Sequence, residues 1–278
     1  MDLSWYKGLI FGLVSGITEI LPVSSQAHRI LMLKLFGISS EPSMLQLMID
    51  LGIAAALYYS CQNHIVRIIR AKRLSRVPKR RRKRPLDTTS LMDLSLIKTM
   101  IVPVILSFFL YNRAGALGSS MLLIAIFMLI NGIILYIPQF FPGGNRDSRT
   151  MSRVHGLLMG LGGAAGIIPG ISGTGSALSI GSLCTVDKTY GLNMVLLMEL
   201  FVFLGRIILD VVAIMSSDLN VTSFGMFIVY MLSGAASFCG TTLSIKLLKN
   251  LIGEISISVF GFYCWGVALF TFVMNLLA

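Results

Sequence analysis

Apolar residues run along this chain in stretches long enough to cross a membrane as helices. A spanning α-helix needs about 20 mostly apolar residues, and six such stretches lie at roughly 43–62, 95–112, 120–138, 190–215, 222–245 and 255–277. The alternation in segments of about ten residues that is typical of a transmembrane barrel is absent from the sequence. The pattern therefore predicts an all-α, polytopic membrane protein with about six transmembrane helices.

Two further apolar regions, 6–37 and 154–188, are long enough to cross but are interrupted at their centres by Pro, Gly and Ser. Irregular backbone at membrane depth is tolerated only where protein buries it or a wet cavity solvates it. We therefore expect each region to form a re-entrant helical hairpin, which enters the membrane and returns on the same side.

The net charge of +11 comes from one segment, since eleven Lys or Arg and no acidic residue lie between Arg67 and Arg84. Basic loops lie preferentially on the cytoplasmic side of a membrane, so the loop 67–87 is expected there. A solvated loop is the simpler interpretation of this run. Binding of anionic lipid or nucleic acid by residues 79–84 is the less favoured alternative, and no nucleic-acid partner is expected.

The same rule orients the rest of the chain. The loop 139–153 and the turn with Lys246 and Lys249 are also basic and fall on the cytoplasmic side. Both termini and the loop 216–222 then lie outside. One hairpin enters from the outside and the other from the inside, each followed by three spans.

This order predicts an inverted-topology repeat within one membrane domain, with residues 1–140 as the first unit and 150–278 as the second. Such repeats place a binding site near the middle of the membrane, where the broken helices of the two halves meet. The tips of the two hairpins are therefore expected to form one site.

The composition of both tips favours binding of an anion. Serine is a good N-cap, and Ser24-Ser25 and Ser172 each precede a helical stretch whose free N–H groups and dipole attract a phosphate. Eight glycines lie between Gly156 and Gly175 and permit close backbone approach. For Gly156, Gly160 and Gly163, close helix packing is an equally good interpretation. The residues expected to bind phosphate are Ser24, Gly170, Ser172, Gly173, Thr174 and Gly175.

The first hairpin also contains two ionisable residues, Glu19 and His28. Such groups are costly at membrane depth and are usually functional or paired. Glu19 is a candidate to accept a proton or to bind a divalent cation, Mg²⁺ or Ca²⁺. His28 is a candidate to protonate a leaving phosphate or to take a proton from water or a serine. The alternative is a Glu19–His28 pair that holds the arms of the hairpin together.

The segment Thr18-Glu-Ile-Leu-Pro-Val-Ser-Ser25, followed by His28, resembles a signature of the undecaprenyl-diphosphate phosphatase family, the bacitracin-resistance type of membrane lipid phosphatase. That signature reads E-G-x-T-E-x-L-P-V-S-S-T-G-H. The segment Pro169-Gly-Ile-Ser-Gly-Thr-Gly175 resembles the second, P-G-x-S-R-S-G. The resemblance extends over the whole chain.

This resemblance implies removal of the terminal phosphate of undecaprenyl diphosphate at the outer side of the bacterial cytoplasmic membrane, which recycles the carrier lipid of peptidoglycan synthesis. By position, it implies Glu19, Ser25 and His28 as catalytic residues, with Ser25 as nucleophile or phosphate ligand. Ser172 corresponds to the serine of the second signature.

The chain departs from both signatures. The second signature has an arginine where this chain has Gly173, and this loss matters most. Phosphoryl transfer depends on cations that stabilise the transferring oxygens. The departures are Ser15 for the first glutamate, Gln26 and Ala27 for the threonine and glycine before the histidine, Gly173 for the arginine of the second signature, and Cys264 for an arginine that often follows the tyrosine at Tyr263.

Charged residues in the stretch 190–215 are candidates to compensate. Glu199 and Arg206 are seven residues apart, so they lie two helical turns apart on one face, roughly 10 Å. The hypothesis is that Arg206 replaces the missing cation and Glu199 the missing carboxylate, with Asp50 as a further candidate. The alternative is a simple pair between Arg206 and Asp210, four residues later.

The leading functional prediction is a polyprenyl-diphosphate phosphatase with weak or altered activity. One alternative is a non-catalytic protein that binds or translocates a polyprenyl phosphate, since broken helices in an inverted repeat suit alternating access. Another is a transporter of a different small anion, which rests on architecture alone. The expected partners are the polyprenyl (di)phosphate lipid and the membrane, and a homodimer is a further expectation.

Overall fold

The computed structural model describes residues 4–38, 40–82, 84–216, 224–253 and 256–277. The regular secondary structure of these residues is helical, apart from one isolated bridge between Arg146 and Val186. The α-helices are α1 (Trp5–Ile20), α2 (Ser25–Phe36), α3 (Ser43–Ser75), α4 (Thr88–Phe108), α5 (Tyr111–Ala116), α6 (Met121–Tyr136), α7 (Arg153–Ala164), α8 (Gly173–Leu183), α9 (Lys188–Ser216), α10 (Phe224–Leu251) and α11 (Ser258–Leu277).

Five helical segments in the described residues are long and apolar enough to cross a membrane: α3, α4, Met121–Phe140 (which includes α6), α10 and α11. The chain is thus an all-α, multi-pass membrane protein, as the hydropathy predicts. The predicted span 190–215 corresponds to α9, which is 29 residues long but is not among these five segments. Part of the predicted spans 222–245 and 255–277, and most of the loop 216–222, lie outside the described residues.

Both broken apolar regions have a helix–break–helix form. In the first, α1 ends at Ile20 and α2 begins at Ser25. In the second, α7 runs into a 3₁₀ turn, Ala165–Ile167, and α8 begins at Gly173. Pro22 and Pro169 lie in the breaks, where a residue without an N–H cannot continue a helix. The return of each hairpin to the same side of a membrane stays a prediction.

The two halves of the chain interlock. Helix α1 packs along α10, and α7 packs along α4, so the first helix of each hairpin lies against a long helix of the other half. The remaining contacts between halves include α3 with α9 and α6 with α11. Each hairpin is therefore held in place by the half to which it does not belong.

Glycines make these contacts close. A Cβ added at Gly160 on α7 would lie 2.2 Å from the carbonyl oxygen of Met100, and one added at Gly156 would lie 2.5 Å from Thr99 Oγ1. On α1, a Cβ at Gly16 would lie 2.3 Å from the carbonyl oxygen of Ser237. Small residues let helix backbones approach each other in this way. The packing interpretation is confirmed for Gly156 and Gly160.

Helix α4 begins earlier than the predicted span 95–112 because Asp87 caps it. The Asp87 side chain accepts hydrogen bonds from the Thr89 hydroxyl at 2.6 Å and from the N–H of Ser90 at 3.0 Å. These bonds, together with one from the Ser90 hydroxyl, lower the pKa of Asp87 to about 2. The cap fixes the point at which the chain enters the helix after the basic loop.

We expect Gly160→Ala to lower the free energy of unfolding by about 1–3 kcal/mol, because the new methyl group would meet the α4 backbone. Gly266→Ala is the matched control, since a Cβ there meets nothing within 4 Å. Thermal or denaturant unfolding of the purified variants in detergent measures the difference. Equal stability of the two variants would show that α4 and α7 do not pack in this way.

Candidate functional site

The breaks of the two hairpins are in direct contact. The N–H of Gly170 donates a hydrogen bond of 3.1 Å to Ser24 Oγ. Asn131, fully buried on α6, joins them a second time: its Oδ1 accepts from the N–H of Ser172 at 2.9 Å, and its Nδ2 donates to the carbonyl oxygen of Pro22 at 3.3 Å. The breaks therefore form one structural unit, although they are far apart in the sequence.

The turn that precedes α2 has an unusual backbone. Ser24 has a φ of 62°, in the left-handed region that non-glycine residues rarely adopt. Its hydroxyl makes no cap to α2 but accepts from Gly170 instead, so the expected serine cap of this helix is wrong. Ser172 does cap α8, as predicted, by accepting a hydrogen bond of 3.1 Å from the N–H of Gly175.

A cavity that encloses about 550 Å³, including the space at its mouth, lies where the breaks meet. Both helix starts contribute to it, so the expected convergence of α2 and α8 is present. Its polar lining consists of Glu19, Ser24, Ser25, Gln26, Ser107, Tyr111, Ser172, Thr174, Glu199 and Arg206, and its remaining lining of Val104, Phe108, Gly163, Gly166, Ile167, Ile171, Gly173 and Val202.

Ser25 and Glu19 form a serine–carboxylate pair within this cavity. The Ser25 hydroxyl donates a hydrogen bond to Glu19 Oε2, and both side chains are largely buried. The other oxygen of the carboxylate, Oε1, lies 3.5 Å from Nη1 of Arg206. A hydroxyl that donates to a positioned base is the arrangement of an activated nucleophile.

Arg206 is fixed by a buried aspartate from another helix. Its Nε lies 2.9 Å from Asp50 Oδ2, and its Nη2 donates to Asp50 Oδ1 at 3.0 Å. One hydrogen bond and one close ion contact thus tie the guanidinium to Asp50. Asp210 accepts instead from Nε2 of Gln46 at 2.8 Å, so the alternative of an Arg206–Asp210 pair is wrong.

A second buried arginine supports the same aspartate. Arg29 Nη1 lies 3.4 Å from Asp50 Oδ1, and Arg29 also donates to both carboxylate oxygens of Glu41. The sequence interpretation did not single out Arg29, Glu41 or Asn131. The available signal was the polar character of Arg29 and Asn131, each inside an apolar stretch, where such residues need a partner.

Glu199 lies across the cavity from Glu19 and is buried on α9. Its Oε1 is 3.2 Å from the hydroxyl of Thr174, and that hydroxyl is also 3.3 Å from the backbone carbonyl oxygen of Glu19. The two predicted compensating residues, Glu199 and Arg206, therefore line the same cavity. Among the ion pairs of the described residues, however, none joins them directly.

His28 faces away from the cavity. Its Nδ1 lies 2.9 Å from the carbonyl oxygen of Ser24, so Nδ1 carries the proton, because a carbonyl can only accept. Its Nε2 lies 2.8 Å from the hydroxyl of Tyr263, whose ring stacks on the imidazole with 5.7 Å between centroids. The alternative of a Glu19–His28 pair is therefore wrong, and His28 supports the turn that carries Ser25.

The side chains at the site do not fit a divalent cation held by the protein. In the residues that the structure describes, no group of three or more His, Cys, Asp or Glu side chains is arranged to hold a metal ion. Glu19, the predicted ligand, already accepts from Ser25 and faces Arg206.

Fold and site together define a class: a multi-pass helical membrane protein with a serine–carboxylate pair and a guanidinium in a cavity between two broken helices. Residues 8–270 match the family described as bacitracin resistance protein BacA, so the chain belongs to the BacA family. The resemblance of the two signature segments is thereby confirmed at the level of the family.

Similar proteins share nearly the full length of the chain. A protein of Methanobrevibacter smithii named undecaprenyl-diphosphatase is 28% identical, with 96% of each chain covered. Undecaprenyl-diphosphatase 1 of Shouchella clausii is 27% identical over 98% of this chain and 97% of its own. Undecaprenyl-diphosphatase 1 of Bacillus cereus is 28% identical over 96% of each.

We expect Asn131→Ala to separate the two breaks and to destabilise the protein. The substitution removes the partner of the Ser172 N–H and leaves the Pro22 carbonyl only the longer contact of 3.7 Å from Cys264 Sγ. An unsatisfied buried group costs about 1–3 kcal/mol. Unfolding in detergent measures the loss, with Gly266→Ala as the neutral reference. A stability equal to that of the reference would contradict the bridging role of Asn131.

Proposed function

We propose that this chain hydrolyses a polyprenyl diphosphate, undecaprenyl diphosphate in the first instance, to the lipid monophosphate and inorganic phosphate. The observation that carries the proposal is the Ser25–Glu19 pair with the Arg206 guanidinium beside it in one cavity. The names of the similar proteins agree with this activity.

In the first step, Ser25 Oγ attacks the terminal phosphorus of the diphosphate. The Oγ–P bond forms as the bond from that phosphorus to the bridging oxygen breaks, and the lipid monophosphate leaves with the bridging oxygen and its electron pair. The proton of the Ser25 hydroxyl passes to Glu19 Oε2, to which it is already hydrogen-bonded. Glu19 acts here as a general base.

In the second step, water attacks the phosphorus of the phosphoserine. The Oγ–P bond breaks, and Ser25 Oγ recovers the proton from Glu19. Both hydrogens of the water remain with the released dihydrogen phosphate. The serine and the carboxylate are thus regenerated for the next substrate.

Arg206 provides the positive charge that the segment 169–175 lacks where the second signature has its arginine. A Cβ at Gly173 would lie 2.9 Å from the carbonyl oxygen of Gly163, so a side chain at this position has little room. The guanidinium comes instead from α9, where an ion pair and one hydrogen bond tie it to Asp50. The helix starts of α2 and α8 add their free N–H groups, which favour a phosphate.

The apolar part of the cavity suits the lipid end of the substrate. Val104 and Phe108 on α4 and Val202 on α9 line it beside the polar groups. Exposed apolar side chains continue from this wall along α4, including those of Ile105 and Phe109. A polyprenyl chain would lie against this surface while its diphosphate enters the polar end.

The proposed reaction takes place on the outer side of the membrane, and the distribution of basic loops supports this side for the cavity. The basic loop precedes α4 and is cytoplasmic by the positive-inside rule, so Phe108 at the end of α4 lies toward the outside. The matching contacts of α1 with α10 and of α7 with α4 support the inverted repeat of residues 1–140 and 150–278. In this orientation both termini lie outside the bacterial cytoplasmic membrane.

Purified protein should release phosphate from undecaprenyl diphosphate, and Ser25→Ala should abolish the release because the nucleophile is lost. Arg206→Ala should lower kcat at least about a hundredfold, the usual effect of removing one electrostatic donor. The assay measures phosphate release in detergent micelles, with and without added Mg²⁺ or Ca²⁺. Gly266→Ala is the control for handling and folding.

Wild-type protein that releases no more phosphate than Ser25→Ala would overturn the enzymatic proposal. Transfer of a polyprenyl phosphate between the leaflets of liposomes, without phosphate release, would favour the translocating alternative. An Arg206→Ala variant with wild-type turnover would show that the cation is supplied elsewhere.

We expect His28 to position the Ser24–Ser25 turn rather than to transfer a proton. His28→Ala should therefore lower kcat at all pH values but leave both limbs of the pH–rate profile where they are. Tyr263→Phe, which removes only the hydroxyl partner of Nε2, should give a smaller loss of the same kind. Disappearance of one limb in His28→Ala would identify the histidine as the general acid or base instead.

A further inference from the structure

The hydroxyl of Thr174 has two oxygen neighbours but only one proton. It lies 3.3 Å from the carbonyl oxygen of Glu19 and 3.2 Å from Glu199 Oε1. Glu19 is the penultimate residue of α1, and the last four carbonyls of a helix lack a partner within that helix. The Thr174 proton therefore belongs to this carbonyl, which can only accept.

This assignment leaves a lone pair of the Thr174 oxygen facing Glu199 Oε1. Two oxygens at hydrogen-bond distance repel each other unless one carries a proton, and the Thr174 proton is already directed elsewhere. Only a protonated Glu199 completes the chain, in which Glu199 donates to Thr174 and Thr174 donates to the Glu19 carbonyl. This arrangement leaves every contact satisfied.

The charges around the cavity support a neutral Glu199. The buried cations Arg206 and Arg29 already face three carboxylates, those of Glu19, Asp50 and Glu41. Glu199 is 4% exposed, and among the described ion pairs it has none. An ionised carboxylate buried without a cation is strongly unfavourable, so such a group takes up a proton.

The groups that face Glu199 come from several helices. Glu19 on α1 is a second carboxylate, Arg206 lies two turns along α9, and Tyr111 comes from α5. Helices α4, α7 and α8 contribute Ser107, Gly163 and Thr174 to the lining, none of which titrates near neutral pH. Glu19, with Ser25 and Arg206 as its partners, is the better placed of the two carboxylates to hold the negative charge.

We infer that Glu199 is a protonated carboxylic acid that serves as a neutral hydrogen-bond donor to a phosphate oxygen in this cavity. The phosphate belongs to the substrate of the proposed function, on which this part of the inference rests. A carboxylic acid that its surroundings keep neutral can donate in this way at pH 7. When phosphate enters, the Glu199 proton turns from Thr174 to a phosphate oxygen, and no covalent bond changes. An ionised Glu199 would instead repel the anion.

Infrared difference spectroscopy tests the protonation without any need for activity. Subtracting the spectrum of Glu199→Gln from that of the wild type at pH 7 should leave the carbonyl stretch of a protonated carboxylic acid. Glu41→Gln is the matched control, since Glu41 is paired with Arg29 and should lose a carboxylate band instead. Loss of a carboxylate band in Glu199→Gln would overturn the inference. If Glu199→Gln does not fold, Glu199→Asp serves as the second variant. It should shift the band of the carboxylic acid and not remove it.

Inorganic phosphate tests the role as a donor. Added phosphate should shift the Glu199 band of the wild-type protein, because the proton acquires a new acceptor. An unshifted band at phosphate concentrations that protect the protein against thermal unfolding would overturn this role.

Turnover gives a separate measurement. Glu199→Gln keeps a neutral side chain with a donor, so its kcat should fall no more than about tenfold, while Glu199→Ala should fall about a hundredfold. A folded Glu199→Gln as inactive as Glu199→Ala would contradict the inference. No phosphate release by any form would refute the proposed function, while the infrared result would still decide the protonation.

Discussion

The position of the cation in the cavity depends on the buried contact between Arg206 and Asp50. Both side chains lie among apolar helices, and removing one partner of such a pair costs about 3–5 kcal/mol, because the other charge is left buried and alone. The pair ties α9 to α3 and directs the guanidinium toward the meeting point of the two hairpins. Arg29 adds a second cation to the same aspartate, so the arrangement tolerates a carboxylate nearby. Glu19 can then remain beside Ser25 as the base of the proposed reaction.

The two breaks look alike in sequence but contribute differently to the site. The first brings the serine and the carboxylate that are proposed to react. The second brings backbone shape: Gly170 with a φ of 107°, the Ser172 cap and the Thr174 hydroxyl. It carries no arginine, and in the proposed reaction Arg206 on α9, outside both signature segments, supplies that charge.

The lengths of the apolar stretches predict most of the fold. Backbone N–H and C=O groups must be hydrogen-bonded in lipid, which leaves few alternatives to a helix. Pro22 and Pro169 likewise predict the two breaks. The partners of buried charges are a different matter. A local rule pairs Arg206 with Asp210 four residues away, yet the structure pairs it with Asp50, which is brought close only by the packing of α3 on α9. The same limit explains why Asn131 and Arg29 were not predicted as parts of the site, since their roles depend on contacts between distant segments.

The most direct test of the central claim is chemical rescue of Arg206→Ala by guanidinium ion. Removing the side chain leaves a space beside Asp50 and Glu19 that a free guanidinium at millimolar concentration can enter. If Arg206 supplies the cation for phosphoryl transfer, added guanidinium should restore part of the phosphate release of Arg206→Ala and none of that of Ser25→Ala. Absence of any restoration in a folded Arg206→Ala protein would contradict the claim that a guanidinium at this position replaces the lost arginine.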